Sequence, residues 1–185
     1  NFKLRHICVF SIKKIMKSVQ NIVFLGMMGS GKSSVGEIIS KKLRLDFFDI
    51  DKCIEKKLDL NIPQIFKIKG EKYFRKVEEE ITLSTLKKKN IVISLGGGGF
   101  MNVKIRDEIL KNHVSFWLHL DQETIIKRIK NNYKRPIAFN STDNELISLI
   151  KKRSKIYSKA MYTIDCNNLT KKEITRKILS VYETN

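Results

Sequence analysis

The sequence predicts an α/β protein in which helices cover both faces of one parallel β-sheet. From residue 21 onward, short apolar segments alternate with longer segments of helical periodicity, the pattern of a parallel sheet with helical connections. The first apolar segment, 21–26, runs into a glycine-rich loop that opens a helix. The 185 residues, of which 42% are hydrophobic, suffice for one compact domain with its own core. We therefore expect a three-layer α/β/α sandwich.

The strands are expected to be short, apolar and buried on both faces. They are predicted at 21–26, 46–50, 91–95, 114–120 and 162–166. The helix at 32–44 follows from Val35, Ile38, Ile39 and Leu43, which recur on one helical face. The other helices are predicted at 52–89 with a break at Gly70, at about 103–111, at about 122–130, from the end of a polar loop to about 159, and from about 170, where Thr170 and Glu173 form a predicted capping box.

The composition limits the classes of function. A net charge of +18 suggests a polyanionic partner, either nucleic acid or a phosphate-bearing ligand. The lysines are spread along the chain, however, so a largely solvated charge is the alternative. No segment approaches about 20 uninterrupted apolar residues, so no membrane span is predicted. Cys8, Cys53 and Cys166 form no CxxC pair, which indicates neither a disulfide framework nor a zinc site and favours a reducing cytoplasm.

Residues 1–15 are basic, apolar and free of acidic residues. They could be the tail of a targeting peptide, since transit peptides are poor in acids. The preferred interpretation is a loosely ordered extension, because Met16 is followed directly by the first strand segment. We expect residues 16–185 to form a single domain without internal repeats.

The segment from Gly26 to Ser33 matches the phosphate-loop pattern G-x-x-x-x-G-K-[ST], and it lies between a predicted strand and a predicted helix, as that motif requires. Its glycines let backbone N–H groups surround phosphate oxygens, and the helix N-terminus adds partial positive charge. Lys32 is expected to reach the β- and γ-phosphates, and the Ser33 hydroxyl is expected to ligate Mg²⁺. The sequence therefore predicts a nucleotide-binding phosphate loop, and the rest of the chain must indicate the reaction.

Further polar residues could complete a phosphoryl-transfer site. Asp49 and Asp51 follow the second strand, and in an extended segment residues two apart point to the same side. Arg75 and Glu78 are three apart on a predicted helix, so they can interact on one face. Two more of the eight arginines accompany other polar or aromatic landmarks. Arg135 precedes Pro136 in the polar loop at 131–144, and Arg153 lies four residues before Tyr157.

At this point the chain resembles the shikimate kinase family over about residues 16–185. The segments that carry the resemblance, in the family's order, are GMMGSGKSSVG, FDID, GEKYFRKVE, SLGGG, KRP and RSKIY. The resemblance implies the sheet order 2-3-1-4-5, an acceptor-binding segment at about 51–80 and a lid at about 131–144. It also implies transfer of the γ-phosphoryl group of MgATP to the 3-hydroxyl of shikimate, giving shikimate 3-phosphate and ADP.

The resemblance also implies roles for individual residues. Lys32, Asp51 and Arg135 would be catalytic, with Asp51 orienting or deprotonating the acceptor hydroxyl. Ser33 would bind Mg²⁺ directly, and Asp49 would approach it through water. The expected ATP-binding residues are Gly29, Ser30, Gly31, Lys32, Ser33, Ser34, Arg128 and Arg135. The expected shikimate-binding residues are Asp51, Arg75, Gly97, Gly98 and Arg153.

Two other functions remain open at this stage. Another small P-loop kinase, acting on gluconate or a nucleotide, shares the phosphate loop and the lid. A basic nucleic-acid-binding protein is the remote alternative, although most aromatic residues here fall in core-like strand positions rather than among exposed basic residues. The preferred interpretation is a cytoplasmic monomer that binds ATP and shikimate and has neither nucleic acid nor a membrane as a partner.

Overall fold

A computed structural model describes residues 20–130 and 142–184 of the chain. Five strands form one sheet in the order β2-β3-β1-β4-β5, and every neighbouring pair is parallel. The strands are β1 (Ile22–Leu25), β2 (Asp46–Asp49), β3 (Ile91–Ser94), β4 (Val114–His119) and β5 (Tyr162–Asp165). The predicted number of strands, their directions and their order are confirmed.

The helices connect these strands and surround the sheet. They are α1 (Lys32–Leu43), α2 (Ile50–Leu58), α3 (Ile62–Leu86), α4 (Val103–Asn112), α5 (Gln122–Lys130), α6 (Asp143–Tyr157) and α7 (Lys171–Thr184), with a short 3₁₀ turn at Gly99–Met101. Every residue of β1 and of β3 is buried. Because a strand can be buried along its whole length only if both faces of the sheet are covered, the predicted three-layer arrangement is confirmed.

The strand register determines where the functional loops meet. Ser94, at the end of β3, pairs with Asp49 at the end of β2 and with Phe24 of β1. The loops that leave these strands therefore emerge at one edge of the sheet. In open parallel sheets this carboxyl edge is where ligands bind.

The second strand is shorter than the sequence predicts, and this changes the geometry of the two acids. Asp49 ends β2 with an extended backbone, and its side chain accepts a hydrogen bond from the Lys52 amide, so it caps α2. Ile50 already belongs to that helix, and Asp51 lies in its first turn. The expectation that an extended segment aligns the two carboxylates was wrong, because the cap at Asp49 starts a helix one residue later. Both side chains are nevertheless buried.

Two helices show how local residues set the chain direction. Helix α3 bends at Gly70, whose φ of 79° and ψ of 167° suit only glycine. The predicted break at this position is confirmed. Helix α6 begins earlier than expected, because Thr142 and Glu145 form a capping box, so residues 143 and 144 are helical rather than part of the lid loop. The capping box of Thr170 and Glu173 is present as predicted.

Some sequence expectations fall beyond the described residues. The extension at 1–15, the lid segment at 131–141 and Arg135 belong to this group. Within the described ranges, no helix is both long enough and apolar enough to cross a lipid bilayer.

Candidate active site

The phosphate loop joins β1 to α1, as the motif predicts. Gly31 has a φ of 94° and precedes the first residue of α1, and no side chain caps that end of the helix. The Lys32 side chain is buried, and its ammonium group donates to the carbonyl oxygens of Gly26 and Met27 at 2.9 Å each. The ammonium group therefore folds across the loop whose amides surround the anion site, where it can neutralise phosphate charge.

Oxygen-bearing side chains lie directly beside this loop. The Ser33 hydroxyl donates to the Asp49 carboxylate, and the Ser94 hydroxyl lies 3.5 Å from that of Ser33. Hydroxyl and carboxylate oxygens suit Mg²⁺, which keeps several waters and takes the rest of its ligands from substrate phosphates. No group of three or more histidine, cysteine or acidic residues that could hold a metal by itself occurs in the described part of the chain. The donor set thus fits a metal ion that arrives with a nucleotide.

A cleft extends from the phosphate loop along the surface of the protein. Arg128 of α5 crosses towards the loop and donates to the Gly29 carbonyl oxygen at 3.0 Å. Lys171, the first residue of α7, also lines the cleft. The predicted ATP-binding residues that line it are Gly29, Gly31, Lys32, Ser33, Ser34 and Arg128. Ser30, within the loop itself, is buried.

A second, smaller cleft adjoins the first. Ile62, Phe66 and Phe74 of α3 supply apolar lining. The predicted shikimate-binding residues Asp51, Arg75, Gly97, Gly98 and Arg153 all line it. The structure therefore gathers residues from four separate segments of the chain into one small cleft that holds two guanidinium groups, which suits an acceptor with a carboxylate.

Arg75 is held by carboxylates on its own helix. Its guanidinium contacts Glu78 at 2.7 Å and Glu71 at 3.0 Å. Burial raises the pKa of the Glu78 carboxyl above its usual value; the Arg75 guanidinium opposes this shift and the nearby Asp51 carboxylate adds to it. The sequence-based expectation that Arg75 and Glu78 share one helical face agrees with this geometry.

The other guanidinium group, that of Arg153, belongs to a buried cluster. Arg153 and Tyr157 lie one turn apart on α6, and both approach the Met27 sulfur of the phosphate loop, at 4.0 and 3.9 Å. The Tyr157 hydroxyl also donates a hydrogen bond to the Gly97 carbonyl oxygen. Burial raises the pKa of Tyr157 to about 12, so the hydroxyl keeps its proton at neutral pH and remains a donor.

The two clefts meet at Met28 and Asp51, which line both of them. Asp51 stands in the first turn of α2, between the phosphate loop on one side and the arginine-lined cleft on the other. A carboxylate in this position can contact a group bound in either cleft. The arrangement suits transfer of a phosphoryl group from one ligand to the other.

Comparison with known proteins identifies the family. Residues 28–183 match the family model described as shikimate kinase. The chain is 39% identical, over 166 residues, to a shikimate kinase from Thermodesulfovibrio yellowstonii, a match that covers 89% of this chain and 96% of the relative. The chain belongs to the shikimate kinase family.

Solved structures agree with this assignment. A shikimate kinase from Acinetobacter baumannii, solved in complex with shikimate, superposes with a TM-score of 0.86 at 29% identity and covers 93% of this chain and 97% of its own. The shikimate kinase from Aquifex aeolicus gives a TM-score of 0.81 at 36% identity, with 90% and 98% covered. As a member of the shikimate kinase family, the protein is an ATP-dependent phosphotransferase, and the resemblance drawn from its motifs is confirmed.

The sequence did not predict some residues that lie at the candidate active site of this shikimate kinase family member. Lys171 carries no motif, and only its place at the start of the final helix could have pointed to it. Tyr157 was noted only for its spacing from Arg153, and its contact with Gly97 joins two distant segments. Gly96 was not singled out among the four glycines after β3, although a Cβ atom built on it would lie within 3 Å of two carboxylates.

Proposed function

We propose that this protein transfers the γ-phosphoryl group of MgATP to the 3-hydroxyl of shikimate, giving shikimate 3-phosphate and ADP. The observation that carries the proposal is the position of Asp51, which lines both the phosphate-loop cleft and the cleft of Arg75 and Arg153. A nucleotide in one cleft and a carboxylate-bearing alcohol in the other would meet at this residue. Membership of the shikimate kinase family supports the choice of acceptor.

On the nucleotide side, the phosphate loop supplies the contacts to ATP. Backbone amides at Gly29, Ser30 and Gly31 would surround the phosphates, and the Lys32 ammonium would contact the β- and γ-phosphates. Ser34 lies in the first turn of α1, and Arg128 would lie against the nucleotide at the mouth of the cleft. These contacts hold the phosphoryl donor in one orientation.

Ser33 and Asp49 would hold Mg²⁺, Ser33 directly and Asp49 through water. When bound, the ion neutralises developing charge on the phosphate oxygens. The hydrogen bond between the two side chains supports this assignment, because it already brings their oxygens together.

On the acceptor side, Arg75 and Arg153 would bind the carboxylate of shikimate with parallel N–H donors. Gly97 and Gly98 let the two guanidinium groups approach the loop closely, because a Cβ atom at Gly98 would collide with Arg75 Nη1 and one at Gly97 would lie 3.4 Å from Arg153 Nη1. The apolar ring of the acceptor would pack against Phe66 and Phe74.

The chemical step then follows from the position of Asp51. Its carboxylate would accept a hydrogen bond from the 3-hydroxyl and take that proton as the oxygen bonds to the γ-phosphorus. The bond from this phosphorus to the bridging oxygen breaks, and ADP leaves with the electron pair. Lys32 would offset the charge that gathers on the transferring group. Arg135 and the lid remain predictions of the resemblance, since they fall beyond the described residues.

We further propose that the protein acts as a cytoplasmic monomer, with neither nucleic acid nor membrane as partner, and that residues 16–185 form its single domain. Light scattering on a sizing column would give the mass in solution. A gel-shift titration over a range of salt concentrations would detect binding to nucleic acid, which loses affinity steeply as salt rises. Formation of a dimer or salt-sensitive binding would contradict these points.

The decisive experiment is a coupled ADP-release assay with shikimate, gluconate and nucleoside monophosphates as separate acceptors. We expect ADP release with shikimate and Mg²⁺, and phosphorus NMR should show the phosphoester on the 3-position. Turnover with gluconate or a nucleotide in place of shikimate would overturn the acceptor and leave the nucleotide side of the proposal intact. A Lys32→Ala variant serves as the inactive control.

A further inference from the structure

The first glycine after β3 faces two carboxylates that line the cleft of Arg75 and Arg153, which we call the acceptor cleft after its proposed ligand. A Cβ atom built on Gly96 would lie 2.6 Å from Glu78 Oε1 and 2.7 Å from Asp51 Oδ1. Both distances are shorter than any ordinary contact of a real side chain. The two oxygens therefore occupy the space that a side chain at position 96 would need.

The backbone itself does not demand glycine here. In the described part of the chain, the glycines with positive φ are Gly26, Gly29, Gly31 and Gly70, and Gly96 is not among them. An alanine could adopt the conformation of residue 96 without strain in φ. What excludes a side chain is the pair of carboxylates alone.

The two carboxylates are confined, so they cannot keep their present positions if a methyl group is added to residue 96. Glu78 is 2% exposed and Asp51 is 9% exposed, and the second oxygen of Glu78 contacts Arg75 at 2.7 Å. Both oxygens are at the ends of side chains, however, so they can rotate away without breaking the sheet or the helices. An added methyl group should therefore displace the carboxylates rather than unfold the protein.

We propose that Gly96 is a positioning residue for phosphoryl transfer, because its missing side chain leaves the space in which the Asp51 and Glu78 carboxylates lie. This inference rests on the proposed function of the same site. Asp51 is the group that would contact the acceptor hydroxyl, and Glu78 orients Arg75, which would bind the acceptor carboxylate. One glycine thus sets the positions of the groups that contact the reacting end and the charged end of the acceptor.

The chain offers a matched control three residues later. A Cβ atom on Gly99 would lie 3.6 Å from Glu78 Oε1 and 3.8 Å from Leu95 Cβ, which are ordinary contacts. Gly99 is also outside the group with positive φ. Gly96→Ala and Gly99→Ala therefore add the same methyl group to the same loop, and only the first should displace the carboxylates.

The kinetic test compares both variants with the wild type. For Gly96→Ala we expect kcat/KM for shikimate to fall by roughly 10- to 100-fold, as for a misplaced catalytic group. The KM for ATP should stay within about twofold, since the phosphate loop is untouched. Gly99→Ala should match the wild type in both. Equal kinetics for the two variants, or an equal loss for ATP and shikimate in Gly96→Ala, would overturn the proposal.

Crystal structures of the two variants without substrates decide the point independently of turnover. In Gly96→Ala, the Asp51 and Glu78 oxygens should retreat to 3.4 Å or more from the new methyl group, and the Arg75 guanidinium should move with Glu78. In Gly99→Ala, all three side chains should keep their wild-type positions. Unmoved carboxylates in Gly96→Ala would overturn the proposal. If the wild type had no shikimate kinase activity but the carboxylates were displaced in Gly96→Ala, only the proposed reaction would be refuted, and the positioning role of Gly96 would stand.

Discussion

The hydroxyl of Tyr157 donates a hydrogen bond to the carbonyl oxygen of Gly97, and this contact ties helix α6 to the glycine loop after β3. The helix carries Arg153, and the loop lines the acceptor cleft. The bond is formed by a fully buried side chain, so water cannot replace it readily. The positions of Arg153 and of the loop therefore depend on each other.

The first prediction concerns this bond. Tyr157→Phe keeps the ring and removes the hydroxyl, which should lower the free energy of unfolding by about 0.5–1.5 kcal/mol and leave the Gly97 carbonyl without this donor. We expect the KM for shikimate to rise several-fold while the KM for ATP changes little. Tyr162→Phe, on the half-buried ring that stacks on Phe116, is the matched control. Wild-type kinetics for Tyr157→Phe would show that the bond does not position the loop.

The second prediction concerns Arg153. Removing one side of a buried arginine–carboxylate contact costs about 2–5 kcal/mol of binding, largely because the other charge is left unpaired. Arg153→Ala should therefore raise the dissociation constant for shikimate by at least tenfold and alter ATP binding much less, as calorimetry can measure. Arg176→Ala, on an exposed position of α7, is the control. An equal loss of affinity for both ligands would contradict the role.

The third prediction separates the two roles of Asp49. Asparagine caps helices about as well as aspartate, so Asp49→Asn should retain the start of α2 and the thermal stability of the protein. It removes a charge near the expected metal, and we expect the Mg²⁺ concentration for half-maximal activity to rise. The measurement is a magnesium titration of ADP release. An unchanged magnesium requirement would remove Asp49 from the metal site.

The fourth prediction is a pH dependence that arises from Glu78. Burial raises the pKa of this carboxyl, so between the usual value and the raised value the folded protein binds a proton that the unfolded chain has released. Stability contributed by this group therefore decreases as pH rises through that window, and it is greatest below the usual value.

The test is Glu78→Gln, which cannot titrate. When the pH rises from acidic to neutral, the melting temperature of this variant should fall by less than that of the wild type. Its KM for shikimate should be higher than that of the wild type, because Arg75 loses an ionic partner. Glu80→Gln, at an exposed position of the same helix, should keep the wild-type pH dependence. An unchanged slope in Glu78→Gln would show that Glu78 does not carry the effect.

The features that sequence reasoning predicted well are those that local patterns encode. The strand at 22–25, the phosphate loop and the first helix follow one another in the chain, so apolar runs, glycines and helical periodicity determine them without distant contacts. The strand order, by contrast, came from the resemblance to a family. Parallel strands give no local signal for their neighbours.

The features that sequence reasoning missed depend on competition or on distant contacts. Asp49 could continue a strand or cap a helix, and its hydrogen bond from the Lys52 amide decides for the helix. The residues of the Thr142–Glu145 capping box are visible in the sequence, but the polar composition around Thr142 predicts a loop that extends to residue 144. The importance of Gly96 arises from side chains 45 and 18 residues away, Asp51 and Glu78, so no local pattern could reveal it.

The bend at Gly70 divides the apolar lining of the acceptor cleft between two helical segments. Phe66 precedes the bend and Phe74 follows it, yet their rings meet with centroids 4.8 Å apart. The lining is thus continuous although the helix that supplies it is not. Redesign of the pocket for a bulkier alcohol could begin at this pair of rings, where one segment can be reshaped while the segment that bears Arg75 keeps its place.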